Sequence, residues 1–190
     1  MGFHLMNISF LKVFILIISL NIILSYNTIE TTGDIFQVGV PLSALYMTYV
    51  NNDNIGRQIF LKSFLTTFAA THVLKRVVAR ERPDSSNSLS FPSGHTSSAF
   101  SGASFIQKRY GFKFGVPAYC VASFVGYSRV HAKKHYWSDV IAGAFLAILN
   151  NYFFTKNLDI RVDAHIDPLN DNFYIKIYDN NCRFNYAKNL

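Results

Sequence analysis

The chain has 190 residues, of which 50% are hydrophobic, 16% aromatic and only 15% charged. This composition excludes an intrinsically disordered chain and a collagen-like chain, and two cysteines are too few for a disulfide-rich scaffold or a four-thiolate zinc site. Eighteen Lys and Arg residues against eleven Asp and Glu residues leave a formal net charge of +7, which favours an anionic partner.

The predicted elements begin with an apolar segment near the N-terminus. Val13–Leu24 follows Lys12, and this layout is typical of a secretory signal peptide or of an uncleaved membrane anchor. Both interpretations stay open, because residues 24–27 offer no pair of small side chains like that of a typical cleavage site. In either case we assign residues 1–26 to this segment, and the chain from residue 26 onward begins outside the cytoplasm.

Five further apolar segments follow in chain order, namely Ile35–Val50, Gln58–Leu74, Thr96–Gln107, Phe112–Tyr127 and Val140–Phe154. Each is shorter than the roughly 20 apolar residues of a comfortable membrane-crossing helix, so a soluble helical bundle is an alternative. We favour membrane embedding, because the second and last of the six segments carry no charged residue. The expected fold class is all-α, a multi-helix bundle of about six apolar helices whose helical domain occupies residues 27–155.

The C-terminal tail, residues 156–190, changes its hydrophobic period. Apolar and polar residues alternate over residues 158–167, which is the pattern of a half-buried strand. Pro168 begins a turn-forming stretch, and the alternation resumes at Phe173. The tail is therefore predicted to form a short β-hairpin, and the sequence assigns it no function.

Three polar clusters lie at ends of the apolar segments that alternate crossings would place on the outer side of a membrane. They are Lys75–Pro83, Phe91–Thr96 and Ser128–Asp139. Between residues 54 and 138 the chain has twelve Lys and Arg residues but only two acidic residues. Cations on the outer side break the usual positive-inside bias, so we expect a function to hold them there.

The residue types in these clusters suit a phosphoryl group. Arg82 and Arg129 can each donate two parallel hydrogen bonds to phosphate oxygens, and Lys75 adds a mobile positive charge. Ser93 and Gly94 stand where a helix is predicted to begin, and the free N–H groups of a helix N-terminus bind anions. The clusters therefore predict a phosphate site.

Two histidines and one aspartate add the groups that phosphoryl transfer needs. His135 and Asp139 are four residues apart, so on a helix they would share a face and the carboxylate would hold one imidazole nitrogen. The other nitrogen is then free as a nucleophile, and His95 is available as a general acid for the leaving oxygen. A metal site at His131, His135 and Asp139 is the alternative, but the flanking cations would repel a divalent ion, and we expect no metal.

The three clusters together resemble the signature of the type 2 phosphatidic acid phosphatase superfamily. The matching motifs are K-x6-RP at Lys75–Pro83, PSGH at Pro92–His95 and SR-x5-H-x3-D at Ser128–Asp139. That superfamily includes membrane lipid phosphatases, soluble bacterial acid phosphatases and vanadium haloperoxidases.

The resemblance implies a helical bundle and a metal-independent phosphatase that needs no cofactor and acts through a phosphohistidine. By position, His135 would be the nucleophile and Asp139 its orienting carboxylate. His95 would protonate the leaving group and then activate water. The phosphate-binding residues implied by the resemblance are Lys75, Arg82, Ser93, Gly94 and Arg129.

The leading hypothesis is a bacterial inner-membrane phosphatase whose site faces the periplasm and whose substrate is a phosphomonoester or diphosphate of a lipid. The alternatives are a soluble periplasmic acid phosphatase released by signal cleavage, a vanadium haloperoxidase, and a non-catalytic binder of membranes or nucleic acid. A complete set of acid, nucleophile and orienting carboxylate argues against a binder, so we expect no nucleic-acid partner. The sequence identifies neither the individual substrate nor the oligomeric state.

Overall fold

The structure is a computed structural model that describes residues 28–155, 161–167, 172–179 and 182–187, with side chains over residues 28–155. Its helical part consists of α1 (Thr28–Val50), α2 (Asn54–Val78), α3 (Gly94–Tyr110), α4 (Phe112–His131) and α5 (Trp137–Phe154). The predicted helical bundle is therefore confirmed for these five segments. The N-terminal segment predicted over residues 1–26 lies outside the described residues.

The helices extend beyond the apolar segments that predicted them, because their polar ends are also helical. α1 begins at Thr28, ahead of the apolar segment that starts at Ile35. Asp53 caps α2 by accepting a hydrogen bond from the Gly56 N–H at 2.7 Å. The described helices do not reach the combination of length and apolar character that a membrane crossing requires.

Helix α3 lies at the centre of the bundle and contacts the other four helices. Its packing faces are made of small residues, and Ala99 and Ala103 are fully buried. A side chain at Gly102 would place its Cβ 2.8 Å from the backbone of Val40 in α1, so only glycine permits this approach. The close packing brings the N-terminal half of α1 beside the start of α3.

Polar side chains tie α2, α3 and α5 together in the bundle interior. Asn151 of α5 accepts a hydrogen bond from Ser63 Oγ at 2.9 Å and donates to Ser104 Oγ at 2.9 Å. The same amide donates to the Ser101 carbonyl at 3.1 Å. Hydrogen bonds between helices with small contact residues stabilise close packing where large apolar side chains are few.

A buried ion pair closes the end of the bundle where α2 begins and α3 ends. The Asp53 carboxylate accepts hydrogen bonds from Nε and Nη2 of Arg109, each at 2.7 Å, and from the Tyr110 hydroxyl at 3.0 Å. Both charged side chains are almost fully buried, with 2% and 0% exposed. This cluster fixes the turn between α1 and α2 against the C-terminus of α3.

The C-terminal strands form one antiparallel sheet in the order β1 (Arg161–Asp167), β2 (Asn172–Asp179) and β3 (Cys182–Ala187). The register pairs Ala164 with Ile175 and Ile166 with Phe173. These pairs match the alternating apolar positions that predict the hairpin, and β3 is a further strand for which the tail sequence gave no prediction.

Candidate active site

A cavity of about 410 Å³ opens at the end of the bundle where α2 ends and α3 begins. Five of the eight residues predicted for the site line it: Lys75, Arg82, Gly94, His95 and His135. The other three, Ser93, Arg129 and Asp139, are buried. Residues from all three sequence clusters are thus gathered at one end of the molecule.

His135 lies in the turn between α4 and α5 and is 3% exposed. It precedes α5, so it approaches Asp139 through the turn and not along a helix face, and its Nδ1 lies 3.8 Å from Asp139 Oδ2. The Ser90 hydroxyl lies between the two residues, because its Oγ is 3.5 Å from His135 Nδ1 and donates to Asp139 Oδ2 at 2.5 Å. A hydroxyl has one proton to donate, so its oxygen is left to accept the Nδ1–H of His135. This arrangement keeps the proton on Nδ1 and leaves Nε2 unprotonated.

Arg80 compensates the buried charge of Asp139. Its Nη1 donates to Asp139 Oδ1 at 2.8 Å and to the Ser138 hydroxyl at 2.7 Å, while its guanidinium lies 4.1 Å from the ring centroid of Tyr136. The Tyr136 N–H donates to Asp139 Oδ2 at 3.0 Å and completes the start of α5. Asp139, which is fully buried, is therefore both a helix-capping residue and an ion-pair partner.

The lining residues of the cavity present positive charge and unused hydrogen-bond donors. The Arg82 Nε is buried and has no hydrogen-bond partner within the part of the chain that the structure describes. Lys75 Nζ donates to the Leu89 carbonyl at 2.8 Å. At Gly94 an added Cβ would lie 3.5 Å from Lys75 Cε, so the absence of a side chain keeps the start of α3 open toward this lysine.

Ser93 caps the N-terminus of α3 and connects it to α5. Its Oγ accepts hydrogen bonds from the Thr96 hydroxyl at 2.9 Å and from the Thr96 N–H at 3.4 Å. Its own N–H donates to the Asp139 carbonyl at 2.9 Å. Ser93 therefore holds the first turn of α3, with its anion-binding N–H groups, in place beside Asp139.

A carboxylate of α1 connects His95 with Arg129. Asp34 Oδ1 lies 3.0 Å from His95 Nε2 and accepts a hydrogen bond from Arg129 Nη1 at 2.7 Å. Arg129 also donates to the Glu30 carbonyl at 2.7 Å and to the Ser128 hydroxyl at 3.1 Å. Its guanidinium, predicted to bind phosphate, is thus directed to protein oxygens in this structure.

Sequence reasoning missed Ser90, Arg80 and Asp34, which contact four of the predicted residues, namely His95, Arg129, His135 and Asp139. Ser90 and Arg80 stand within or beside the clusters but outside the motif positions. Asp34 carries one detectable signal, since it is an acidic residue at the start of an apolar segment on the same side as the cation-rich clusters. Among residues 28–155, side chains of His, Cys, Asp and Glu form no group of three that could hold a metal ion.

Burial lowers the pKa of His135 to about 3, with Lys75 and Arg82 adding to the shift and Asp139 opposing it. The ordinary value is about 6.5, so the imidazole is expected to stay neutral throughout the physiological range. We expect nuclear magnetic resonance of histidine-labelled protein to show no protonation of His135 between about pH 5 and pH 8. A midpoint for His135 near 6.5 would contradict the expectation.

A family model described as the PAP2 superfamily matches residues 58–161, which is more than half of the chain. The three motifs lie within this range. The chain belongs to the PAP2 superfamily. The match includes all eight predicted site residues as well as Arg80 and Ser90, but not Asp34, which precedes it. The resemblance stated from the three motifs is thereby confirmed.

Two curated proteins are similar to this PAP2 chain. Lipid A 1-phosphatase of Porphyromonas gingivalis is 44% identical over 73 residues, which is 37% of this chain and 16% of that protein. Lipid A 4′-phosphatase of Helicobacter pylori is 38% identical over 81 residues, which is 43% of this chain and 41% of that protein. The matched part of the chain thus spans less than half the length of either relative.

A solved structure supports the helical architecture of the PAP2 chain. The crystal structure of Aquifex aeolicus LpxE superposes with a TM-score of 0.57 and covers 75% of this chain and 92% of that one. The two sequences are 20% identical over the superposition, so this likeness concerns the fold.

Proposed function

We propose that the chain is a metal-independent phosphatase that hydrolyses a phosphate ester of a membrane lipid through a phosphohistidine intermediate. The observation that carries this proposal is that His95 and His135 line one and the same cavity, together with the cations Lys75 and Arg82. A neutral buried imidazole, a second imidazole and unused positive donors around one cavity are the groups that a two-step phosphoryl transfer requires.

In the first step, Nε2 of His135 attacks phosphorus and the ester oxygen leaves with a proton from His95. Asp139 and Ser90 act behind the nucleophile, because they hold the proton of its other ring nitrogen. In the second step, His95 removes a proton from water, whose oxygen attacks phosphorus and breaks the bond to nitrogen. The products are the alcohol and inorganic phosphate, and both histidines return to their starting states.

Charge stabilisation comes from the residues around the phosphoryl oxygens. Lys75 and Arg82 line the cavity directly, and Gly94 leaves room for an oxygen beside the N–H groups at the start of α3. Ser93 fixes that helix start. Arg129 contributes its positive charge from behind His95.

A lipid substrate is supported by the names of the relatives and by the surface of the bundle. Both relatives are named lipid A phosphatases. The outer face of α5 exposes large apolar side chains that include Ile141, Phe145 and Phe153, exposed by 65%, 61% and 79%. Exposed apolar area on this scale fits contact with lipid. We therefore propose the bacterial inner membrane as the location and a lipid A-type phosphate as the substrate. The alternate-crossing topology of the sequence supports a site that faces the periplasm.

The test is a phosphate-release assay with the full chain purified in detergent. The panel contains lipid A carrying a 1-phosphate or a 4′-phosphate, phosphatidic acid, phosphatidylglycerol phosphate and the water-soluble p-nitrophenyl phosphate. We expect fastest release from a lipid A phosphate and unchanged rates in EDTA. Turnover of the soluble ester alone would contradict the lipid substrate, and loss of activity in EDTA that zinc restores would contradict the metal-independent mechanism.

A further inference from the structure

Asp34 of α1 lies outside the region of the family match and touches two of the motif residues. Its Oδ1 is 3.0 Å from His95 Nε2 in α3 and 2.7 Å from Arg129 Nη1 in α4. One carboxylate oxygen thus joins three helices at the candidate site. The mechanism described above does not use it.

The backbone of α1 is held at this place by contacts that do not involve Asp34. Gly33 packs directly on α4, since a Cβ at Gly33 would lie 1.9 Å from Ser128 Oγ and 2.9 Å from Arg129 Nη2. Ser98 of α3 donates from its hydroxyl to the Gln37 carbonyl at 2.9 Å. These contacts lie on either side of residue 34 and fix its position relative to His95.

The contact with Asp34 Oδ1 determines which ring nitrogen of His95 carries the proton. A carboxylate accepts hydrogen bonds and donates none, so the contact requires a proton on Nε2 of the imidazole. In the neutral ring the proton then resides on Nε2, and Nδ1 carries the lone pair. Arg129 Nη1 donates to the same oxygen at 2.7 Å.

We infer that Asp34 is the positioning residue of His95, holding its Nε2–H in both protonation states of the ring. Nδ1 then carries the second proton of the imidazolium form, gives that proton to the leaving oxygen, and takes a proton from water in the second step. This inference rests on the proposed function. In this arrangement each histidine of the site has its own carboxylate partner, which is Asp139 for His135 and Asp34 for His95. Both carboxylates are paired with an arginine, Arg80 in the first case and Arg129 in the second.

The inference is tested with Asp34→Asn, which keeps the shape of the side chain and removes its charge. The control is Glu81→Gln, the same change of charge at an exposed position in the loop after α2. Two substrates are compared by kcat/KM, which reports the steps up to release of the alcohol. A long-chain alkyl phosphate has a poor leaving group that needs a proton, whereas p-nitrophenyl phosphate has a good one that does not.

We expect Asp34→Asn to lower kcat/KM for the alkyl phosphate by about 10- to 100-fold and for p-nitrophenyl phosphate by less than about threefold. An equal loss for both substrates would overturn the inference in favour of a structural role. Unchanged values for both would also overturn it. A rise in kcat/KM with stronger inhibition by phosphate would instead identify Asp34 as an internal anion that competes with the substrate.

A second measurement does not depend on turnover. Nitrogen chemical shifts of the His95 ring at neutral pH report which nitrogen carries the proton. We expect the Nε2–H form in the wild-type chain and a loss of this preference in Asp34→Asn. A wild-type ring protonated mainly on Nδ1 would overturn the inference, whereas inactivity of both the wild type and Glu81→Gln would count against the proposed function alone.

Discussion

The variant His135→Ala is expected to lower kcat/KM for any substrate of the chain by a factor of about 10⁴ or more, because it removes the atom that attacks phosphorus. Ser90 and Asp139 cannot replace it, since both lie on the Nδ1 side of the ring, away from the attacking Nε2. The measurement is phosphate release by detergent-purified variant and wild type, at equal concentrations of folded protein.

The matched control for this experiment is His131→Ala. His131 lies at the end of α4, is exposed, and has its ring 5.8 Å from the ring of Tyr127. We expect this variant to keep the activity of the wild type. If His135→Ala retained activity within about tenfold of the wild type, water would have to attack phosphorus directly and the proposed nucleophile would be wrong.

The second prediction concerns the free energy of unfolding and the buried Asp53–Arg109 ion pair, which lies at the opposite end of the bundle from the cavity. Asp53→Ala is expected to lower the free energy of unfolding by about 3–5 kcal/mol, because it removes a buried carboxylate that accepts two hydrogen bonds from the buried guanidinium of Arg109. For a chain of this length the apparent Tm should fall by roughly 6–20 °C. Differential scanning fluorimetry in detergent measures this change.

Asp84→Ala is the control, since Asp84 forms an ion pair with Lys134 at 2.8 Å on the surface of the molecule. Exposed ion pairs contribute little to stability, so its Tm should stay near that of the wild type. Equal effects of the two substitutions would contradict the structural role assigned to the Asp53 cluster. Asp53→Ala should leave the substrate preference of the folded protein unchanged, because the cluster is remote from the cavity.

The same cluster predicts how stability depends on pH. Burial raises the pKa of Asp53, but the hydrogen bonds from Arg109, Gly56 and Tyr110 together lower it below the ordinary 3.8. A carboxylate with a lowered folded-state pKa stabilises the fold above its unfolded-state value. This contribution is present above about pH 4 and is lost as the pH falls through the folded-state pKa.

The helices and the family motifs could be predicted from sequence because both depend on local patterns, while the roles of the eight motif residues stay predictions. An apolar segment predicts a helix regardless of which other helices pack against it. Ser93 and Gly94 indicate a helix start, because serine is a favoured N-cap residue. Helix ends were harder to predict. Polar residues extend α1 by seven positions before Ile35, since capping and packing rather than hydrophobicity decide where a helix begins.

The contacts that complete the site could not be predicted, because they join residues distant in sequence. Asp34 reaches Arg129 across 95 positions, and Ser90 reaches Asp139 across 49. Neither pairing has a signal in local spacing. The spacing of His135 and Asp139 predicted a shared helix face, whereas the structure places Ser90 between their polar atoms and His135 in the preceding turn.

The central claim is that phosphorus passes through a covalent bond to His135, and the stereochemical course of the reaction tests it most directly. The substrate is a phosphate ester made chiral at phosphorus with oxygen isotopes, and the configuration of the product is determined by phosphorus nuclear magnetic resonance after transfer to an acceptor alcohol. Two successive in-line displacements each invert the phosphorus, so the account predicts overall retention of configuration. Overall inversion would show a single displacement without a phosphohistidine and would contradict the account.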